Sequence, residues 1–139
     1  MRGISYEKAT QYISEIITLA RHNQLSPLSI VVIDSGGHIK CSASEDGVGI
    51  LRHEIAYSKA YACLGMTIDS KDLYQLNKRG VLSDVFINSI SAASHGKFNI
   101  NPGGALIYQN NNIMGAIGVS GGSADQDEKV IRAVLAAVK

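Results

Sequence analysis

The chain has 139 residues, 45% of them hydrophobic, with 13 basic and 12 acidic side chains. A chain of this length buries roughly two thirds of its unfolded surface in one core, so we expect a single domain over residues 1–139. The near-neutral charge, without a run of like charge, argues against nucleic acid as a partner, and no apolar run reaches the roughly 20 residues that span a bilayer.

The two cysteines, Cys41 and Cys63, have no CxxC spacing, and the N-terminal sequence lacks the apolar core of a signal peptide. These features predict a reduced, cytoplasmic protein. Cys41 is expected to be a small buried apolar residue.

The first predicted helix is capped by Ser5 and ends between His22 and Gln24, because apolar residues recur at steps of three and four and Pro27 would not continue it. A β-branched run over 28–34 predicts a strand buried on both faces. Gly36 and Gly37 then join it to a second strand over 38–44, which makes a hairpin.

The second predicted helix runs roughly from Ile50 to Gly65 and is rich in small residues, which favours close packing on a sheet or on another copy. Lys59 stands among its alanines. It is interpreted either as a snorkelling lysine or as a cation held for an anionic ligand. The segment 67–95 is predicted to be partly helical, with a short helix capped by Asp69 or Ser70. We expect this segment to be either a flap over a pocket or a surface connection.

A second hairpin is predicted over 105–119, with a turn of three asparagines that tolerate positive φ. A final helix through Val138 starts with a capping box of Ser123 and Gln126. Two hairpins between amphipathic helices predict the α/β class, an α/β/α layered sandwich around a central antiparallel sheet.

The residues by themselves leave several kinds of site open. The GVSGG sequence at 118–122 looks like a nucleophile elbow, but no histidine follows Ser120, so we expect these glycines to serve packing. The NPGG turn, with Pro102, Gly103 and Gly104, offers backbone amides either for an anion or for turn geometry alone. Residue types alone also allow a metal site of Glu45, His53 and Glu54.

Two further interpretations of function stay open on residue types. In the first, the chain is an isomerase or lyase for a carboxylate substrate, with Lys59 and either Asp34 or Glu54 transferring protons. In the second, it is a structural or accessory oligomer without a ligand.

Four segments resemble the GlcG/HbpS family of heme-binding proteins, which includes the C-terminal domain of PduO proteins. They are VVIDSGGHIKCSASEDG from Val31, AYSKAYA from Ala56, NPGGALI from Asn101 and IMGAIGVSGGSADQDE from Ile113. The chain departs from this family at 42–46, where relatives commonly carry an arginine and an aspartate, and at 105–106, where a proline is common.

The resemblance implies a profilin-like fold with helices on both faces, assembly into homo-oligomers, and heme as the cofactor. In PduO-like members a histidine of the first helix binds the iron, and His22 is the histidine in that position here. The resemblance thus implies His22 as the axial metal ligand, Lys59 as a partner of a heme propionate, and Pro102, Gly103 and Gly104 as a wall of the site.

Overall fold

The computed structural model describes residues 3–138, so Met1, Arg2 and Lys139 of the expected domain range lie outside the described residues. The elements in chain order are α1 (Tyr6–His22), β1 (Ser29–Asp34), β2 (Ile39–Ser44), α2 (Leu51–Met66), α3 (Ser70–Lys78), α4 (Asp84–Ala93), β3 (Gly104–Gln109), β4 (Asn112–Ser120) and α5 (Ala124–Ala137).

The four strands form one antiparallel sheet in the order β2-β1-β4-β3. Each hairpin contributes two neighbouring strands, and the pairing of β1 with β4 joins the hairpins, with Ser29 opposite Ser120 and Asp34 opposite Gly115. The predicted antiparallel sheet is therefore confirmed, and the β-branched strand β1 lies at its centre.

Helices cover both faces of this sheet. Alternate residues of β1 point to opposite faces, so Ile30 and Val32 pack with α1 and α5, while Val31 and Ile33 pack with α2. This arrangement is the predicted α/β/α sandwich. No helix within residues 3–138 is long and apolar enough to cross a bilayer.

The local signals for helix starts and turns are confirmed. The Ser5 side chain accepts a hydrogen bond from Lys8 N, and Ser123 and Gln126 form the capping box at the start of α5. In the β3–β4 turn, Asn110 and Asn111 adopt φ values of 52° and 65°.

Two local predictions need correction. Helix α2 continues past Gly65 to Met66, and Thr67 takes the left-handed conformation there with a φ of 55°. Cys41 is half-buried rather than buried, because β2 is an edge strand with one helix-covered face.

The prediction of a partly helical middle segment is confirmed. Asp69 is the N-cap of the short helix α3, and a second helix, α4, follows it. Both helices pack around a separate cluster of Ala62, Leu73 and Phe98.

The glycines of β4 permit the close approach of α2 to the sheet. A Cβ atom at Gly118 would overlap the carbonyl oxygen of Ala56 in α2. The packing role that we expected for the GVSGG segment is therefore visible at Gly118.

Candidate functional site

The Lys59 side chain is buried, with 3% of the residue exposed, so the snorkelling interpretation is wrong. Its ammonium group donates to the carbonyl oxygen of Val119 at 2.9 Å and to Oδ2 of Asp127 at 3.3 Å. Burial lowers the pKa of Lys59, and the charge of Asp127 opposes that effect.

Asp127 completes this contact from the first turn of α5. Asp127 is 1% exposed, and its Oδ1 accepts a hydrogen bond from Gly122 N at 3.1 Å. Burial raises the pKa of the Asp127 carboxyl, while Lys59 acts in the opposite direction. The pair thus joins α2, the end of β4 and the start of α5.

The amides of the NPGG turn are bonded to other residues of the same chain. Gly103 N donates to Oε1 of Glu128 at 3.3 Å, and Gly104 N donates to Oγ of Ser70 at 2.7 Å. A Cβ atom at Gly103 would lie 2.8 Å from Lys59 Nζ, so the turn packs directly on the buried ammonium. The amides that could hold a ligand anion therefore already have protein partners.

Arg132 links Glu128 to the start of α3. Its Nε donates to Glu128 Oε2 at 2.6 Å and its terminal nitrogen to Asp69 Oδ2 at 2.7 Å. Burial alone lowers the pKa of Arg132, but the hydrogen bonds to both carboxylates outweigh it and raise the pKa. The sequence prediction missed this cluster, although the spacing of Glu128 and Arg132, four residues apart on a helix, could have indicated half of it.

The proposed proton-transfer residues do not converge on Lys59. Asp34 accepts hydrogen bonds from Gly36 N at 2.9 Å and His38 N at 3.0 Å, in the β1–β2 turn. It pairs with Gly115, roughly 13 Å along β4 from Val119, where Lys59 is bound. Glu54 is exposed on α2. The structure thus assembles neither of the two expected catalytic pairs.

The hypothesis of a metal site at Glu45, His53 and Glu54 is wrong. Among residues 3–138 there is no group of three or more histidine, cysteine or acidic side chains that could hold a metal ion. Glu45 instead pairs with Arg21 at 3.0 Å and accepts from Leu28 N at 2.9 Å.

Two other side chains with reactive groups, those of Ser120 and Cys63, are buried. Ser120 is buried and accepts a hydrogen bond from Arg52 at 3.2 Å. Burial raises the pKa of the Cys63 thiol to about 12, which keeps it protonated and unreactive.

His22 lies at the exposed C-terminal end of α1 and lines a groove of about 360 Å³ between α1 and α5. The other walls of this His22 groove are mostly apolar and include Leu19, Val134 and Ala137. Since α1 and α2 cover opposite faces of the sheet, Lys59 is not among the lining residues, and neither are those of the NPGG turn.

A larger groove of about 730 Å³ lies between the start of α1, the β3–β4 hairpin and the second half of α5. We call it the hairpin groove. Its walls include Tyr12, Arg132 and Leu135.

The chain matches the family model described as "Haem degrading protein HbpS-like" over residues 4–136. No functionally curated protein matches its sequence.

Solved structures share the fold over nearly the whole chain. The Klebsiella pneumoniae protein ORFY is 20% identical, with a TM-score of 0.86 over 99% of this chain and 92% of its own. A complex of PduOC with heme is 20% identical, with a TM-score of 0.85 over 99% and 96%. A double mutant of Streptomyces reticuli HbpS is 20% identical, with a TM-score of 0.81 over 100% and 89%. At these identities the likeness shows the fold.

Proposed function

Because this chain belongs to the HbpS-like family, we propose that it binds heme, with His22 as the axial ligand of the iron. The observation that carries the proposal is the family match over residues 4–136, and a heme complex of a protein with the same fold supports it. Bound heme would supply an iron centre.

The surroundings of His22 suit such a ligand. The imidazole is exposed and makes no hydrogen bond or ion pair with any other residue between Gly3 and Val138, so a ring nitrogen is available for iron. The apolar side chains beside it, Leu19 and Val134, offer a surface for one face of a porphyrin.

The size of the His22 groove supports a homo-oligomer. Its volume of about 360 Å³ is at the small end of the range for pockets that enclose a drug-sized ligand. One protomer therefore covers part of a heme, and a second copy would cover the remainder. At the start of α4 and just before it, the apolar side chains of Val81, Val85 and Phe86 stay exposed within one chain, as subunit contacts often do. The unpaired Cys41 and Cys63 are consistent with a cytoplasmic location.

Hemin titration of the purified protein tests this proposal. We expect a shifted Soret band that saturates at one heme per chain, and we expect His22→Ala to lose most of the shift. His53→Ala on α2 and His95→Ala after α4 are the matched controls and should behave like the wild type.

Two results would count against it. A wild-type protein without a Soret shift removes heme as the ligand, and an unchanged shift in His22→Ala removes His22 as the axial ligand. Sedimentation velocity on the same samples should show a species larger than a monomer, and a monomer at all concentrations would contradict the homo-oligomer.

A further inference from the structure

Tyr12 places an unbonded hydroxyl in the hairpin groove. The residue is 4% exposed and lines this groove, yet its hydroxyl has no hydrogen-bond partner within the described range 3–138. In that range every fully buried side-chain nitrogen or oxygen has a partner. The accessible part of Tyr12 is therefore its hydroxyl, which opens into the groove. Burial raises the pKa of Tyr12, so the hydroxyl stays protonated and can donate.

The charged residues around Tyr12 favour an anion. Within residues 3–138, the charged side chains that line the groove are those of Lys8, Arg132 and Asp69. The ammonium of Lys8 lies 5.9 Å from the centre of the Tyr12 ring. Arg132 is half-exposed, and its bonds to Glu128 and Asp69 use two of the five N–H groups of a guanidinium.

Both oxygens of Asp69, the one carboxylate side chain of the lining among residues 3–138, already accept a hydrogen bond. Asp69 Oδ1 accepts from Leu106 N at 2.8 Å, and its Oδ2 accepts from Arg132 at 2.7 Å. The Tyr12 hydroxyl and the remaining N–H groups of Arg132 are thus the hydrogen-bond donors that a ligand can use. A ligand with anionic oxygen atoms would satisfy it.

Part of the wall is apolar. Met114, Leu135 and Val138 line the groove beside Tyr12, and the volume of about 730 Å³ is in the range of pockets for small organic molecules. A ligand for this groove therefore needs an apolar body as well as an anionic group.

We propose that the hairpin groove binds a small amphipathic organic carboxylate. Its carboxylate accepts hydrogen bonds from the Tyr12 hydroxyl and Arg132, close to the charge of Lys8, and its hydrocarbon part lies against Met114 and Leu135. This site is separate from the His22 groove, because the two grooves share no lining residue.

The experiment compares octanoate with octanol, which has the same chain length and no charge. Two-dimensional amide NMR of the wild type should show octanoate shifting the signals of the hairpin residues Tyr108 and Gln109, with octanol binding about tenfold more weakly. Tyr12→Phe removes one oxygen atom and keeps the ring. It should lower the affinity for octanoate about tenfold, the factor expected for one hydrogen bond to a charged group.

Tyr6→Phe is the matched control, because Tyr6 is an exposed tyrosine of the same helix outside the groove. It should leave octanoate binding unchanged. Lys8→Gln should weaken octanoate but not octanol, and His22→Ala should bind octanoate like the wild type, which separates this test from the heme proposal.

Equal affinity for octanoate and octanol would overturn the proposal. So would equal octanoate affinities of Tyr12→Phe and Tyr6→Phe, or signal shifts confined to the His22 groove.

Discussion

At the residue scale, the buried pair of Lys59 and Asp127 is the most consequential contact of the molecule. Removing two charges from water is costly, and burial shifts the pKa of both groups toward their neutral forms. The contact nevertheless fixes three elements at one point, below the Gly103 turn. Its contribution should therefore show when one partner is removed alone.

We predict that Lys59→Met destabilises the protein by roughly 3–5 kcal/mol, because Asp127 is left as an uncompensated buried charge. Urea unfolding at neutral pH measures the change. The double variant Lys59→Met/Asp127→Leu should recover most of the loss, since it buries no charge.

Lys129→Met serves as the control, because Lys129 is exposed on the same turn of α5 and should change the stability by about 0.5 kcal/mol or less. If Lys59→Met and Lys129→Met unfold at the same urea concentration, the buried pair has no structural importance.

At the element scale, the close contact between α2 and β4 depends on residues with a small side chain or none. Helix α2 presents Ala56 and Ala60 to the sheet, and Gly118 of β4 lies directly below the Ala56 carbonyl. Larger residues would hold the two backbones apart.

Two glycine-to-alanine changes in these elements should have opposite effects. Gly118→Ala should destabilise the protein by at least roughly 1–3 kcal/mol, because the added methyl group meets backbone that cannot move without shifting α2. Gly65→Ala should stabilise it by roughly 0.5–1 kcal/mol, because Gly65 is an exposed residue inside α2 with open space around it.

Thermal unfolding followed by circular dichroism compares the two variants with the wild type. A Gly118→Ala protein as stable as Gly65→Ala would show that α2 does not need the close approach.

At the scale of the whole molecule, one helix connects the hydrophobic clusters. Helix α2 contributes Ala56, Ala60 and Cys63 to the cluster against the sheet and Ala62 to the cluster with α3 and α4. The sheet then connects α2 to the cluster of α1 and α5 on its other face. Loss of α2 would thus expose two of the clusters directly and uncover one face of the sheet that carries the third.

We therefore predict one cooperative unfolding transition, as expected for the single domain that the sequence predicts over residues 1–139. Far-UV circular dichroism and tyrosine fluorescence should give the same midpoint, because the six tyrosines are spread along the chain and there is no tryptophan to dominate the emission. A helix signal that falls before the tyrosine signal changes would indicate that α3 and α4 unfold as a separate unit.

Much of the architecture was determined by the sequence itself. The Ser5 cap, the Ser123–Gln126 capping box, the asparagine turn and the β-branched strand at 29–34 each depend on residues close together in the chain. Local hydrogen bonds and side-chain periodicity therefore predicted the four strands, their layering and every helix except α4, whose apolar residues follow no clean period. The four segments that resemble the GlcG/HbpS family identified the family.

The candidate site was decided by the tertiary structure. Lys59 could be recognised as unusual, but its partner Asp127 is 68 residues away and reaches it only because β4 brings the start of α5 beside α2. The tertiary structure also puts α1 and α2 on opposite faces of the sheet, which separates His22 from Lys59. It brings the side chains of Glu128 and Ser70 to the amides of the NPGG turn. These contacts join residues distant in the sequence, and no local pattern specifies such pairs.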